Sequence, residues 1–172
     1  MKNWFTRITM PITIAAAAAF AGVGGPAAAA PPTPNPTTPF YLDEPIPLGF
    51  GHDCAGFRVL AQLTGKSKEM SLKRDRIIAI SPGTSITLTA NDKSLTYLIT
   101  GTTHVQVLSD KSREVRSTGK NLLLVPEVPG VHPEGLFYTT GNVNYALTPT
   151  GGEKRLFSGP GQVVDVCALL AK

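Results

Sequence analysis

Apolar residues recur at every second position in short runs along most of the chain, and the runs end at glycine, proline, asparagine or aspartate. Such alternation is typical of β-strands that bury one face, whereas amphipathic helices repeat every 3.6 residues. The first clear run ends at a turn over residues 64–66, and its alternating apolar residues are Phe57, Val59, Ala61 and Leu63.

The same pattern predicts further strands as far as residue 170. They cover residues 76–80, 86–90, 95–109, 114–117, 121–125, 136–140, 143–148, 154–158 and 162–170. Gly101 divides the longest run and predicts a bulge or bend. Gly141-Asn142 is a strong short-turn signal and predicts a hairpin between the strands on either side of it. Residues 126–135 contain three prolines and predict a loop.

Nine or ten short strands at regular spacing predict an all-β fold, either an antiparallel β-sandwich or a jelly-roll-like barrel. The alternation points Tyr97 and Tyr145 toward the core. No stretch has the length and pattern of an amphipathic helix, and residues 169–171 could form only a short turn.

Residues 1–29 have the pattern of a secretory signal peptide. Lys2 and Arg7 form a basic head, an uncharged stretch follows, and the alanines at its end offer A-x-A cleavage sites. Cleavage after Ala29 is favoured over cleavage after Ala30, because the latter bond leads into a proline. The alternative is an uncleaved membrane anchor, but this stretch is mostly alanine and is interrupted by proline and glycine. The protein is therefore expected to be secreted, with no membrane span after cleavage.

The signal is followed by a proline-rich segment, residues 30–48, which contains the run PPTPNPTTP. Proline fixes its own φ angle and favours extended structure in the residue before it, so the segment is expected to be a stiff tail or spacer. It could instead be a ligand for a proline-reading domain. Residues 49–172 are expected to form a single all-β domain.

Cys54 and Cys167 are the two cysteines of the chain, and in an exported protein they are expected to form a disulfide. Free thiols or metal ligands are the alternative. If the first and last strands pair antiparallel with the cysteines opposite each other, Arg58 lies diagonal to Asp165, which becomes its expected partner. That arrangement requires the two strands to belong to one sheet.

The charge of the chain gives little support for a nucleic-acid partner. The formal net charge is +4, and removal of the signal lowers it to +2. The basic groups at residues 66–68 and 73–76 are not interleaved with aromatic residues, so they are interpreted as solvated turns. Trp4 is the only tryptophan and lies in the signal.

No catalytic, cofactor-binding or metal-binding motif is recognisable. Gly65-Lys66-Ser67 resembles the end of a phosphate-binding loop, but position 60 is leucine where that motif needs glycine. The candidate bases or metal ligands are His52, His104 and His132, and none has a recognised ligand spacing. Each is interpreted as a surface histidine. Most carboxylates lie in predicted turns, so no pair is expected to face across a cleft.

Three segments carry a resemblance to a known group of proteins. They are Cys54-Ala55-Gly56-Phe57, Thr118-Gly119-Lys120-Asn121-Leu122-Leu123, and the run GQVVDVCALL over residues 161–170. In these segments the chain resembles exported actinobacterial β-rich proteins of uncharacterised function. The resemblance rests on structural residues and implies no activity. It implies that Cys54 pairs with Cys167 and that the protein works outside the cytoplasm.

The leading interpretation is a secreted, non-enzymatic β-sandwich that binds a cell-envelope component or another protein. The first alternative is an enzyme of the lyase or isomerase type, with a site in a β-barrel cavity that gathers histidines and carboxylates. The second is a phage or host-interaction protein. The sequence predicts no cofactor and no metal for any of the three.

Overall fold

The computed structural model describes residues 30–44, 54–125, 134–150 and 152–171, which form two antiparallel sheets and one short helix. The strands are β1 (Thr33–Pro34), β2 (Phe40–Tyr41), β3 (Leu60–Thr64), β4 (Lys66–Leu72), β5 (Arg76–Ile80), β6 (Ser85–Ala90), β7 (Lys93–Leu98), β8 (Thr102–Val107), β9 (Arg113–Val125), β10 (Gly135–Leu147), β11 (Glu153–Ser158) and β12 (Gln162–Asp165), and the helix is α1 (Val166–Leu170). The predicted all-β fold is confirmed, and the described strands form a sandwich-like pair of sheets without closing into a barrel.

The two sheets exchange strands repeatedly. The larger sheet has the order β1-β4-β5-β8-β9-β10-β11, with β12 also paired to β10, and the smaller has the order β2-β3-β6-β7. Four successive pairs therefore cross between sheets: β1 leads into β2, β3 into β4, β5 into β6, and β7 into β8. β9 and β10 stay in the larger sheet and pair along their whole length.

Several glycines, which we call the crossing glycines, lie close to the points where the chain passes from one sheet to the other. A side chain on Gly65 would come within 2.4 Å of the Gly83 carbonyl oxygen, and one on Gly119 within 3.2 Å of the Gly101 Cα atom. Gly119 lies opposite Gly141 in the β9–β10 ladder, and their φ angles are 78° and 79°. Glycine adopts this left-handed conformation without steric cost. The strands can therefore bend and pass one another closely at this level.

The single run predicted over residues 95–109 is wrong, because the chain leaves the smaller sheet after β7 and enters the larger sheet at β8, with Gly101 between them. The hairpin predicted at Gly141-Asn142 is wrong, because the two predicted strands are the two halves of β10. Glycine in this signal supplies a positive φ angle, and a bent strand needs that angle as much as a tight turn does. The predicted separation of strands 114–117 and 121–125 is wrong for the same reason, since β9 continues through Gly119.

The sequence did not predict β4 or α1. The residues of β4 include two lysines, a glutamate and two serines, so the strand lacks the apolar alternation of a half-buried strand. Helix α1 has five residues, too few for a helical repeat to be recognised. Asp165 caps it, since its carboxylate accepts a hydrogen bond from the Ala168 amide at 3.0 Å.

The main core lies between the smaller sheet, the neighbouring halves of β9 and β10, and α1. Its buried members are Phe40, Leu42, Cys54, Val59, Ala61, Leu63, Ile86, Leu88, Ala90, Ile99, Leu122, Leu136, Val166 and Leu170. A second, smaller core contains Val105, Val115 and Leu147 on the other half of the larger sheet. Tyr97 packs against the first core and Tyr145 against the second, which confirms the predicted orientation of both rings.

Residues 30–44 of the proline-rich segment are part of the fold, contrary to the expectation of a stiff tail or spacer. Asn35 is only 7% exposed. Its amide nitrogen donates to the Thr64 carbonyl at 3.2 Å and to the Thr84 hydroxyl at 3.3 Å, and its amide oxygen accepts from the Ser67 hydroxyl at 2.7 Å. A buried asparagine can satisfy its hydrogen bonds in this way only if the segment is fixed.

Strands β1 and β2 complete this attachment. β1 pairs with β4, β2 pairs with β3, and the side chains of Phe40 and Leu42 enter the main core. Prolines are tolerated here because both strands lie at sheet edges, where a ladder hydrogen bond can be missing. The predicted boundary between residues 48 and 49 lies outside the described residues, as does the predicted signal.

The disulfide between Cys54 and Cys167 is confirmed. It joins the chain just before β3 to α1, so the two cysteines do not lie in paired first and last strands. The predicted contact of Arg58 with Asp165 is wrong, because β3 and β12 belong to different sheets. Arg58 instead binds Asp43.

The crossing glycines give a matched pair of substitutions. Gly65 and Gly83 both have positive φ, but only a side chain on Gly65 meets backbone atoms, since nothing lies within 4 Å of a side chain on Gly83. We expect Gly83→Ala to lower the free energy of unfolding by about 1–2 kcal/mol for its conformation alone. Gly65→Ala should cost about 3–4 kcal/mol, because overpacking is added. Urea denaturation measures both, and equal losses would contradict the close approach.

The disulfide between Cys54 and Cys167 predicts how alkylation and stability respond to reduction. Intact mass should increase by two alkyl groups on alkylation only after reduction, and labelling of the unreduced protein would contradict the bond. Reduction should lower the free energy of unfolding by about 2–5 kcal/mol, because the bond closes a long loop. The replacement of both cysteines by serine should give the same loss in urea denaturation.

Candidate functional site

Of the histidines that the sequence singled out, the structure describes His104. His104 is exposed in β8, between Ile78 of β5 and Arg116 of β9 in the ladder. His52 and His132 lie outside the described residues. Gly65 connects β3 to β4, and Lys66 and Ser67 begin β4, where the Ser67 hydroxyl donates to Asn35. This segment therefore lacks the strand-loop-helix context of a phosphate-binding loop.

A small cavity lies where β5, β8 and β9 meet the connections that follow β5 and β7. Its volume of about 20 Å³ is enough for a single water molecule. The residues that line it are uncharged: Ala79, Ser81, Ile99, Thr103, Asn121, Leu122 and Leu123. This cavity therefore offers no acid–base pair and no room for a substrate.

Within the described residues, no three histidine, cysteine, aspartate or glutamate side chains are gathered so that they could hold a metal ion. Nor does any helix in this part of the chain have the length and apolar character needed to cross a bilayer.

The feature that stands out is one side of the larger sheet, which we call the open face. It is the side of β4, β5, β8, β9, β10 and β11 that carries His104, and the ladder registers arrange it in three rows across the strands. The rows are Lys68, Ile80, Thr102, Thr118 and Asn142; then Met70, Ile78, His104, Arg116, Asn144 and Ser158; then Leu72, Arg76, Gln106, Glu114, Ala146 and Arg155. Of all these residues only Ala146 is buried.

The opposite side of the same strands is buried to a much greater extent. It carries the second core together with buried small and polar residues, namely Ala79, Thr103, Ser117 and Val143. Side chains alternate between the two sides of a strand. The contrast therefore shows that this half of the larger sheet buries one side and leaves the open face to solvent.

Positive charge predominates on the open face. Lys68, Arg76, Arg116 and Arg155 point to it, and Glu114 is the only carboxylate in the three rows. Arg155 binds Glu114, with 2.6 Å between guanidinium nitrogen and carboxylate oxygen. Among the described residues, Arg116 and Arg76 have no carboxylate partner, so their charges are available to a ligand.

Apolar side chains occupy the β4–β5 end of the open face. Ile78, Ile80 and Met70 are half-buried, Leu72 is 39% exposed, and none of the four belongs to either core. The sequence contains a signal for this patch in the run Arg76 to Ile80, which is apolar at four successive positions. Such a run predicts apolar residues on both sides of a strand, whereas only one side of β5 has a described core to enter.

A polar cluster away from the open face joins the residues around β2 to those just before β3. The guanidinium of Arg58 lies 3.8 Å from the centre of the Tyr41 ring and makes two 2.7 Å hydrogen bonds to the Asp43 carboxylate. These bonds hold the pKa of Asp43 below its ordinary value. The arrangement is a bidentate ion pair stacked on an aromatic ring, which orients the three side chains against one another.

The chain matches no protein-family model, no curated protein and no solved structure.

The Arg58–Asp43 pair predicts a pH dependence of stability. Because the pKa of Asp43 is lowered in the folded protein, its contribution is present above the ordinary value of 3.8 and is lost as the pH falls below it. We expect Asp43→Asn to lower the free energy of unfolding at neutral pH by about 0.5–1 kcal/mol, because the pair is exposed. The difference from the unmodified protein should vanish in acid.

The control for this substitution is Asp92→Asn, in the exposed turn between β6 and β7. Asparagine tolerates the positive φ of this residue as well as aspartate does. Urea denaturation across the acid range measures both variants. A loss at Asp92 as large as that at Asp43, or a loss at Asp43 that persists in acid, would contradict the ion-pair explanation.

Proposed function

We propose that this protein is a secreted, non-enzymatic binding module that attaches to the cell envelope through the open face. The observation that carries the proposal is the contrast between the two sides of the larger sheet. One side is packed, whereas the other exposes uncompensated cations beside half-buried aliphatic side chains. An exposed surface that combines apolar and charged groups is typical of an interaction site.

Secretion is supported by the signal-like residues 1–29 and by the Cys54–Cys167 disulfide, which is compatible with an extracellular protein. The resemblance to exported actinobacterial proteins agrees with this location. The function is proposed as binding, because the described cavity is of the size of one water molecule and His104 stands exposed without a carboxylate beside it in the ladder.

The exported protein, purified from the medium, should sediment with cell-wall or membrane fractions of the producing cell at low salt. Sedimentation should decrease as salt is added, because at 0.1 M ionic strength salt largely screens the interaction between exposed charges that are more than about 10 Å apart. Protein quantified in pellet and supernatant gives the result. A protein that stays wholly in the supernatant at low salt contradicts the proposal.

A further inference from the structure

We infer that the ligand of the open face is an extended acidic polysaccharide, a sugar polymer that bears carboxylate or phosphate groups. The inference rests on the proposed function and names the class of envelope component that the face would bind. It depends on how the cations are spaced and on what lies between them.

The cations are spread over the face and do not converge on a point. Neighbouring strands lie about 4.8 Å apart and residues two apart along a strand lie about 6.8 Å apart, so the register places Arg116 about 12 Å from Arg76 and from Arg155 at their Cα atoms. A small anion would need several donors around one point, as bidentate recognition by arginine illustrates. A polymer with charges at intervals can instead meet each cation in turn.

The side chains between the cations suit a sugar chain. The central row runs from Met70 and Ile78 through His104 and Arg116 to Asn144, across about 19 Å of sheet. Its amide and imidazole groups can bond hydroxyl groups, while the aliphatic groups can cover the C–H faces of sugar rings. Asn142, Thr102 and Thr118 add further polar groups in the adjacent row.

An anionic membrane is the competing occupant, and the geometry favours it less. The apolar residues Met70, Ile78 and Ile80 lie within the strands of a sheet and are only half-exposed. They could enter the acyl region of a bilayer only if the neighbouring His104 and Arg116 were also taken out of water, which is costly for a charged group. A polymer that lies along the face needs no such burial.

The test measures binding of the exported protein to immobilised polygalacturonate and to phosphorylated dextran by surface plasmon resonance. Neutral dextran and vesicles of equal parts phosphatidylcholine and phosphatidylglycerol are the comparisons. We expect binding to at least one acidic polymer, and little to dextran or vesicles. Binding to vesicles alone, or to neither acidic polymer, overturns the inference.

Two variants of equal charge locate the site. Arg116→Gln removes a cation at the centre of the open face, and Lys111→Gln removes one in the exposed turn between β8 and β9, outside the three rows. We expect Arg116→Gln to weaken polymer binding about tenfold, the factor expected for one charge-assisted contact, and Lys111→Gln to leave it nearly unchanged. Equal weakening by the two variants overturns the site, since net charge alone would then explain binding.

Ile78→Thr tests the apolar part of the face without a change in charge. Threonine keeps the β-branched shape that suits a strand, so circular dichroism should remain unchanged while binding weakens. Unweakened binding would remove the apolar contact from the inference.

Envelope sedimentation of the unmodified protein separates the two proposals. If the protein sediments with the envelope but binds neither acidic polymer, only the ligand class is wrong. If the protein does not sediment with the envelope, the proposed binding module is wrong.

Discussion

Backbone passes backbone at the crossing between the two sheets, and this is possible only where no side chain stands between them. Gly65 lies against Gly83, Gly101 against Gly119, and Gly141 against Gly161, so the contacts recur in pairs from β3 to the entry of β12. The sheets, the two cores and the connection between them depend on this line of glycines. A methyl group at its tightest points would force the layers apart.

The crossing divides the larger sheet into two halves with different environments. One half of the β9–β10 ladder packs against the smaller sheet and α1, and thereby forms the main core. The other half continues through β8, β5 and β4, where the smaller sheet no longer covers it, and packs only on its opposite side. The open face is thus a direct result of where the strands change sheets.

The alternation of apolar residues was sufficient to predict the fold class and several strands. β5 has the predicted limits Arg76–Ile80. The disulfide was also predictable, because the chain has two cysteines and they allow a single pairing. The signal at Gly141-Asn142 was ambiguous, because it specifies a backbone conformation and not a reversal of the chain. β4 lacked any signal, because its sequence KSKEMSL has only two apolar residues among lysine, glutamate and serine.

The candidate site was less accessible to prediction than the fold. Arg76 and Lys68 were interpreted as parts of solvated turns, and only the strand register places them on the same surface as Arg116. The spacing of Gly65, Gly83, Gly101 and Gly119 at equal intervals of 18 residues is a signal that could have indicated the crossing. The contact of Arg58 with Asp43 depends on the path of a proline-rich segment that local pattern does not determine.

The disulfide joins residues 113 positions apart in the chain. A chain that emerges N-terminus first therefore presents the Cys54 thiol long before Cys167 can reach it. During that interval α1 is missing from the end of the main core, and β10 lacks its partner β12. The bond can therefore form only after all the described strands have been made. Val166 and Leu170, which α1 contributes to the main core, are therefore made after all the other buried residues of that core.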